Sequence, residues 1–278
     1  MFKPIPSTTL IFAFIILNLV GSSSHQDAPF NPVDITPPWL NISPEDVFIE
    51  GNYAYITGGK NGLHILYISN PLNPVWVNCV GTPSDTEGVY VSGGYAYVAD
   101  GNSGLQIIDV EPPESARIVK SVDTPGFANG VYVSGGYAYV ADFSSGIQII
   151  DIEPPSSASI VKSIDTPGVA YGVYETGGYA YVADFSSGLQ IIDVELIESA
   201  SIVKSVDTPD FANGVYVSGG YAYVADGISG LQIIDVEPIG SASIEKSVDT
   251  LGYVDNVYVS GGCAYVADDE GGLRIIKL

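Results

Sequence analysis

The sequence predicts an all-β fold, namely a six-bladed β-propeller of small four-stranded antiparallel sheets. Three observations lead to this prediction. One unit of 42 residues recurs along most of the chain. Each copy contains short apolar strands and turn residues but no helical periodicity. Several strands are apolar on both faces, as expected when each sheet lies between two others.

A repeated residue marks the start of one strand in each copy. It is Tyr53, Tyr95, Tyr137, Tyr179 and Tyr221 in the first five copies, and Cys263 takes its place in the sixth. Each of these residues follows the previous one by 42 positions. A fixed period of this length is typical of a repeat architecture, in which each unit is one supersecondary structure.

Each copy contains four predicted strands. In one copy they occupy residues 130–134, 137–141, 147–152 and 158–164. The pair Gly135-Gly136 supplies the positive φ angles of a two-residue hairpin turn. A second turn runs from Asp142, which can bond backbone amides, to Gly146, which can adopt the left-handed conformation. Prolines in the next loop cannot donate to a sheet ladder and therefore separate the third and fourth strands.

The length of the unit distinguishes between two repeat architectures. A β-helix has coils of about 20–30 residues, which are shorter than this unit. Four-stranded antiparallel sheets arranged around an axis are the blades of a propeller. Closure into a ring also covers the two end sheets, which a linear row would leave exposed. The six copies therefore predict six blades.

The last copy lacks a fourth strand. Its third strand, residues 272–278, is the last segment of the sequence. Counted in steps of 42 residues, residues about 32–38 fall at the position of a fourth strand. We therefore predict that this N-terminal segment completes the last blade, so that both ends of the chain lie in one sheet.

The first 24 residues have the features of a secretory signal. Lys3 supplies a positive charge, residues 10–20 form an apolar run, and Gly21 begins a stretch of small residues suited to a signal peptidase. The run is too short for a typical transmembrane helix, and an uncleaved N-terminal anchor is the alternative. We expect a signal peptide at residues 1–24 and a single propeller domain at residues 27–278. The mature chain is predicted to have no transmembrane helix and to be secreted or at the cell surface.

The composition limits the partners. The chain has 32 acidic and 9 basic residues and a net charge of -23. Such a surface repels nucleic acid and anionic membranes and favours cations and basic partners. Cys79 and Cys263 occupy different positions of the repeat, so we expect no disulfide and predict that both act as small buried hydrophobes. Asn41 begins a glycosylation sequon, which matters only in an organism with that machinery.

One strand resembles a known family. The segment Leu105-Gln-Ile-Ile-Asp-Val110, with copies in the next three units, is similar to the strand after which the LVIVD repeat is named. The resemblance is weaker in the first and last units, where Tyr67 and Lys277 replace the aspartate. LVIVD repeats are found in bacterial and archaeal surface proteins. The resemblance implies a propeller with a secreted or surface location, and it implies no catalytic activity.

One end of the propeller is predicted to be a binding face. The turns between second and third strands lie at the same end as the connections between blades, and these turns vary between copies whose strands are nearly constant. The aromatic residues at this end are Phe127, Phe143, Tyr171, Phe185, Phe211 and Tyr253. We predict that they contact a ligand, either an extracellular protein or a glycan.

The aspartates of the repeat fall into two sets. The turn set is Asp100, Asp142, Asp184, Asp226 and Asp268, and the strand set is Asp109, Asp151, Asp193 and Asp235. The segment Asp100-Gly-Asn-Ser-Gly104 places oxygen ligands at alternate positions, so the turn set is a candidate calcium site. Capping of the turns is the alternative. The strand set is predicted to be structural and to bond backbone groups between strands.

Catalysis is not predicted. The histidines are His25, beside the signal, and His64, in a strand, and the sequence has no Ser-His-Asp set, phosphate-binding loop or Cys/His metal spacing. The predicted function is non-catalytic binding or adhesion at the cell surface, without a required cofactor. A calcium-stabilised structural module of the envelope is the alternative, and a glycan-active enzyme is the third.

Overall fold

A computed structural model describes residues 44–278 of the protein, the side chain of Glu270 excepted. The described chain forms six antiparallel sheets whose strands are consecutive in sequence. The innermost strands of successive sheets contact one another, so the sheets are arranged as blades. This architecture confirms the predicted all-β, six-bladed propeller.

Blades one to five have four strands each, and the described part of blade six has three. Blade one contains β1 (Val47–Glu50), β2 (Tyr53–Thr57), β3 (Leu63–Tyr67) and β4 (Val75–Val80). Blade two contains β5 (Val89–Ser92), β6 (Tyr95–Ala99), β7 (Leu105–Asp109) and β8 (Arg117–Val122). Blade three contains β9 (Gly130–Ser134), β10 (Tyr137–Ala141), β11 (Ile147–Asp151) and β12 (Ser159–Ile164).

The last three blades continue this order. Blade four contains β13 (Gly172–Thr176), β14 (Tyr179–Ala183), β15 (Leu189–Asp193) and β16 (Ser201–Val206). Blade five contains β17 (Ala212–Ser218), β18 (Tyr221–Asp226), β19 (Leu231–Asp235) and β20 (Ser243–Val248). Blade six contains β21 (Val254–Ser260), β22 (Cys263–Asp268) and β23 (Gly272–Lys277).

Short 3-10 helices lie in the loops. Four of them connect the third and fourth strands of blades two to five. They are Pro113–Ser115, Pro155–Ser157, Ile197–Ser199 and Ile239–Ser241. A fifth, Asp269–Gly271, forms the turn between β22 and β23. In blade three Pro155 begins the helix, where its missing N–H group would have no partner within the helix.

The outer strand of each complete blade contains a bulge. In blade three the pairing shifts between Ile149 and Ile150, so that Val161 faces no residue of β11 and is exposed. The same shift recurs in the other four-stranded blades. A bulge increases the local twist, which bends the outer strand away from the regular sheet.

The hydrophobic core lies between the blades. Ile149 of β11, Val182 of β14 and Ile192 of β15 belong to one buried cluster that joins blades three and four. All three side chains are fully buried. Complete burial of such a side chain contributes about 1.5–3 kcal/mol to the free energy of unfolding. This packing explains why the middle strands are apolar on both faces.

Glycine allows the innermost strands to approach closely. A Cβ atom on Gly130 would lie 2.7 Å from the carbonyl oxygen of Tyr171 in the next blade. Glycine also occupies this repeat position in blades two, four and five, whereas Asp46 and Asn256 occupy it in blades one and six. The narrow centre of the ring therefore requires glycine at this position in most copies of the repeat.

Three predictions concern segments outside the described residues: the signal at residues 1–24, the closing strand at residues 32–38 and the sequon at Asn41. They stay predictions. Within residues 44–278 no helix is long and apolar enough to cross a membrane.

Candidate binding face at the blade turns

The turn face consists of the turns between second and third strands and the connections between blades. Antiparallel order places both at one end of the propeller. Backbone hydrogen bonds join them: Phe143 N–H donates to the Ala170 carbonyl oxygen over 3.2 Å, and Ala170 N–H donates back over 3.0 Å. Equivalent bridges link the turns of blades one, two, four and five to the following connections. These hydrogen bonds therefore fix the turn face in position relative to the sheets.

Five aromatic rings form a continuous ladder across this face. The aromatic ladder is Phe127, Phe143, Tyr171, Phe185 and Phe211. Successive ring centroids are 6.2, 5.4, 5.3 and 4.0 Å apart, and the last two rings are stacked at 3°. Phe211 is 37% exposed, and the other four are half-buried. The structure thus brings together five of the six aromatic residues predicted as ligand contacts.

Tyr253, the sixth, lies beside the ladder rather than within it. Its hydroxyl donates to Asn213 Oδ1 over 3.4 Å. The ring also lies close to Gly227, at the repeat position that carries Phe143 and Phe185 in other blades. A phenylalanine at that position in blade five would crowd Tyr253.

Two ladder residues have a backbone conformation that side chains seldom adopt. Phe143 has a φ of 52° and Phe185 a φ of 47°. Glycine occupies the same position in blades one, two and five. The left-handed conformation costs an L-residue about 1–2 kcal/mol. Strained residues of this kind cluster at functional sites, where another requirement outweighs the cost.

Six residues at one position of the 42-residue repeat form the inner ring of the turn face, each at or just before the start of an innermost strand. The inner ring is Glu45, Glu87, Asn129, Tyr171, Asn213 and Asp255. Asn129 Nδ2 donates to the Tyr171 carbonyl oxygen over 2.9 Å, which ties blade three to blade four. The acidic members belong to blades six, one and two, which are consecutive in the ring, and they form the acidic arc Asp255, Glu45 and Glu87.

Crowding and partial burial disfavour the charged forms of the acidic arc. Partial burial, together with the charges of Glu45 and Asp85, raises the pKa of Glu87 to about 7. Partial burial and Asp85 also raise the pKa of Glu45. Desolvation and the neighbouring Asp269 raise the pKa of Asp255. Each carboxylate of the arc therefore has an acidic neighbour, and a cation nearby would stabilise its charged form.

The turn aspartates fasten the connections between blades. Asp142 accepts hydrogen bonds from Thr124 Oγ1 at 2.7 Å and from the Gly126 N–H at 2.9 Å, and both donors lie in the incoming connection. Asp184 repeats this pattern with Thr166 and Gly168. Burial raises the pKa of Asp142 despite these donors.

The other three turn aspartates are also fully buried. Asp100 accepts from the Ser84 N–H, Asp226 from the Asp210 N–H, and Asp268 from the Gly252 N–H and Arg274 Nε. Most of these donors lie outside the turn itself, so the aspartates bond across segments rather than cap their own turns.

The described residues do not group the turn aspartates into a calcium site. Within residues 44–278 no three His, Cys, Asp or Glu side chains are placed to hold a metal ion together. The Asp142 oxygens already accept protein hydrogen bonds. Calcium binding by the turn set stays a prediction.

The strand aspartates are structural, but their partners differ from those predicted. Asp151 Oδ1 accepts from the Glu153 N–H over 3.0 Å, two residues further along the chain. Asp109, Asp193 and Asp235 make the same local bond. Asp109 also forms a 3.2 Å ion pair with Arg117. The prediction of bonds between strands is wrong in this detail: the carboxylate is at the strand end, where it stabilises a turn.

Aromatic residues also surround the axis of the propeller, and the sequence analysis missed them. They are Phe48, Tyr90, Tyr132, Tyr174, Tyr216 and Tyr258, one from each innermost strand. Consecutive ring centroids from Phe48 to Tyr258 lie 4.7–5.1 Å apart. Burial and the neighbouring Tyr132 raise the pKa of Tyr174 to about 12. Their 42-residue spacing was the signal that could have identified them.

Blade one replaces a polar pair of the other blades. In blade three Ser163 Oγ donates to Gln148 Oε1 at 2.5 Å. His64 and Cys79 occupy these positions in blade one, with 3.7 Å between Nε2 and Sγ. Both cysteines are free, as predicted, but they are half-buried rather than fully buried. Burial raises the pKa of the Cys79 thiol, which makes a reactive thiolate unfavourable.

Comparison with known proteins assigns the repeat. The sequence model described as "LVIVD repeat" matches six times, at residues 43–82, 83–124, 125–166, 167–208, 211–250 and 251–277. Together these matches tile nearly all of the described chain. No curated protein matches the sequence significantly.

Solved structures share the fold at low sequence identity. A functionally unknown protein from Desulfotomaculum acetoxidans DSM 771 has a TM-score of 0.72 and 15% identity, covering 86% of this chain and 90% of its own. The computationally designed Ika8 protein has a TM-score of 0.64 and 6% identity, with coverage of 85% and 71%. The WD40 β-propeller domain of Doa1 has a TM-score of 0.54 and 7% identity, with coverage of 84% and 93%. At these identities the similarity concerns the fold alone.

Proposed function

The chain belongs to the LVIVD repeat family, and we propose that it is an exported, non-catalytic propeller that binds a protein or glycan through its turn face. The aromatic ladder is the observation that carries this proposal. Its rings span blades two to five and remain partly accessible. Partly exposed aromatic rings supply contact area at low conformational cost, and they dominate the energetics of many interfaces.

The backbone of the ladder supports the same function. Phe143 and Phe185 adopt positive φ angles where other repeats have glycine. Glycine would relieve this strain, so a stability requirement alone does not account for phenylalanine there. Contact with a ligand explains why a phenylalanine ring with an exposed edge is kept at each of these two positions.

The turns and connections that carry the aromatic ladder are held in place by hydrogen bonds, which favours a binding site. The turns are bridged by backbone hydrogen bonds to the following connections, and the buried turn aspartates fasten those connections. Sites carried by well-held elements keep their geometry and lose little entropy on binding.

The remaining parts of the proposal rest on the sequence. The first 24 residues have the features of a secretory signal, which supports export. The net charge of -23 supports a partner that is not a nucleic acid. Among the described residues, the turn carboxylates of blades two to five accept from backbone or hydroxyl groups in near-equivalent copies, which supports a structural rather than catalytic use.

Binding selections on the mature chain test this function. We would select peptides from a displayed library, and oligosaccharides from a defined panel, on immobilised residues 27–278. The variant Phe143→Gly/Phe185→Gly removes two rings and installs the residue of three other repeats. We expect selected ligands to bind this variant about tenfold more weakly, because about 1.4 kcal/mol of contact free energy is lost.

The matched control is Trp76→Ile, on the outer strand of blade one. Trp76 is an exposed aromatic residue away from the turn face, and isoleucine occupies its position in blade two. Selected ligands should bind this control with unchanged affinity. Ligands that bind the glycine variant as tightly as the wild type would show that the aromatic ladder is not the binding surface.

A further inference from the structure

The turn face is divided into an aromatic half and an acidic half. The aromatic ladder extends from the connection that enters blade three to the connection that enters blade five. The acidic arc occupies the other side of the inner ring, in blades six, one and two. The two halves meet at Tyr171, which belongs both to the aromatic ladder and to the inner ring that contains the acidic arc. Burial and the charge of Glu87 also raise the pKa of Tyr171.

The acidic half has little compensating charge among the described residues. Four lysines, Lys120, Lys162, Lys204 and Lys246, lie on outer strands away from this face. Lys60 is exposed in the turn of blade one, and Arg274 is paired with Asp268. Asp85 and Asp269 lie beside the acidic arc and add to its negative charge. The surface is therefore complementary to a cation.

We propose that the partner is a protein segment carrying lysine or arginine, which lies across the turn face with its cationic group at the acidic arc and its side-chain stem against the aromatic ladder. This inference rests on the proposed function and names the partner class. A lysine or arginine side chain has an apolar stem and a charged end. Its cation can also bind over the face of an aromatic ring. One side chain therefore matches both halves of the site.

Other ligand classes match only one half. A divalent cation takes oxygen ligands and makes no use of aromatic rings. A neutral sugar can pack on the rings but supplies no positive charge to Glu87 and its acidic neighbours Glu45 and Asp85. The adjacency of the two halves favours a basic segment over either.

The test measures binding of a fluorescent peptide of alternating lysine and glycine by anisotropy. Its arginine counterpart, a norleucine counterpart and a chitosan oligomer are measured in parallel, each with and without calcium. The key variant is Glu87→Asn/Asp255→Asn, which installs the residue of blades three and five. Its control, Glu114→Gln/Glu198→Gln, removes the same charge from exposed residues at the opposite end.

We expect the lysine and arginine peptides to bind and the norleucine peptide not to bind. The asparagine variant should weaken binding about tenfold, which corresponds to about 1.4 kcal/mol, while the control should leave the Kd unchanged. Phe143→Gly/Phe185→Gly should weaken binding as well. Salt should weaken binding further, because screening acts on exposed charges.

Three outcomes would overturn the inference: absence of peptide binding, equal losses for both carboxylate variants, or binding of the chitosan oligomer alone. Competition of calcium with the peptide at equal ionic strength would support a cation site at the arc. Library-selected ligands that require the rings but lack basic residues, and that tolerate Glu87→Asn/Asp255→Asn, would refute the basic partner while leaving the proposed function intact. Ligands indifferent to the rings would refute both.

Discussion

At the scale of single residues, the buried turn aspartates connect their own turns to other segments of the chain by hydrogen bonds. Asp142 joins its own turn to Thr124 and Gly126 in the preceding connection. The same geometry recurs at Asp184. Each carboxylate therefore holds two segments that are distant in sequence, which explains why an acid is retained despite its cost of burial.

The variant Asp142→Ala should lower the free energy of unfolding by about 1–3 kcal/mol, because the hydroxyl of Thr124 and the N–H of Gly126 lose their buried acceptor. Denaturant unfolding measures this loss. The control Asp123→Ala removes an exposed acid of the same connection and should change stability by less than about 0.5 kcal/mol. Equal effects of the two variants would contradict the assigned role.

The same hydrogen bonds predict how the protein responds to calcium. Since the Asp142 oxygens have protein donors, the turn aspartates should not bind calcium, and we expect the same melting midpoint in calcium and in chelator for residues 27–278 carrying Glu87→Asn/Asp255→Asn, which removes two carboxylates of the acidic arc. Thermal melts with magnesium at equal ionic strength provide the control. A rise specific to calcium would restore the calcium-stabilised alternative, since a ligand of the folded state raises its stability.

At the scale of the elements, the centre of the propeller depends on how closely the innermost strands pack. A Cβ atom on Gly130 would lie 2.7 Å from the Tyr171 carbonyl oxygen. Tyr132, one of the aromatic residues around the axis, follows two residues later in the same strand. The innermost strands therefore leave no room for a side chain at the position of Gly130. Glycine is needed here because there is no space for a Cβ atom, and not because the backbone has a positive φ angle.

The variant Gly130→Ala should destabilise the protein by about 1–3 kcal/mol, because the new Cβ atom would overlap the adjacent backbone. Gly240→Ala is the matched control, since a Cβ atom there has no neighbour within 4 Å. Thermal and denaturant unfolding of the two variants provide the comparison. A neutral result for Gly130→Ala would show that the innermost strands can separate at little cost.

At the scale of the whole molecule, the acidic surface affects stability as well as binding. Burial raises the pKa of Asp46 from 3.8 to about 6, and burial with neighbouring acids raises that of Glu87 from 4.5 to about 7. The folded protein therefore binds these protons more tightly than the unfolded chain does. Stability from this source is largest below the unfolded pKa values and is lost as pH rises through the folded ones.

We therefore expect these two groups to lower the free energy of unfolding by about 1–3 kcal/mol between about pH 4 and about pH 7. Melting midpoints measured across this range at constant ionic strength test the direction. Asp46→Asn keeps an acceptor for the Val89 N–H but does not ionise, so it should flatten the profile. A midpoint that rises with pH would contradict the assignment.

The repeat, the strands and the number of blades could be predicted from the amino-acid sequence. These features depend on local patterns, such as Gly135-Gly136 in a hairpin turn and the alternation of strands and turns, which repeat every 42 residues. The sequence also placed Phe143, Phe185 and their aromatic neighbours at one end of the propeller. The family resemblance read from residues 105–110 was confirmed.

The contacts among these residues could not be predicted from the sequence, because they depend on how the blades pack against one another. The 4.0 Å stacking of Phe185 on Phe211 depends on the rotation between blades four and five, which no local pattern encodes. The acidic arc likewise joins the first and last blades, so it exists only when the ring brings them together. The hydrogen-bond donors to Asp142 and Asp151 also could not be predicted from the sequence, because a carboxylate accepts equally well from near and distant donors. Local chemistry fixes the strands and turns, whereas contacts between distant residues follow from how the blades pack.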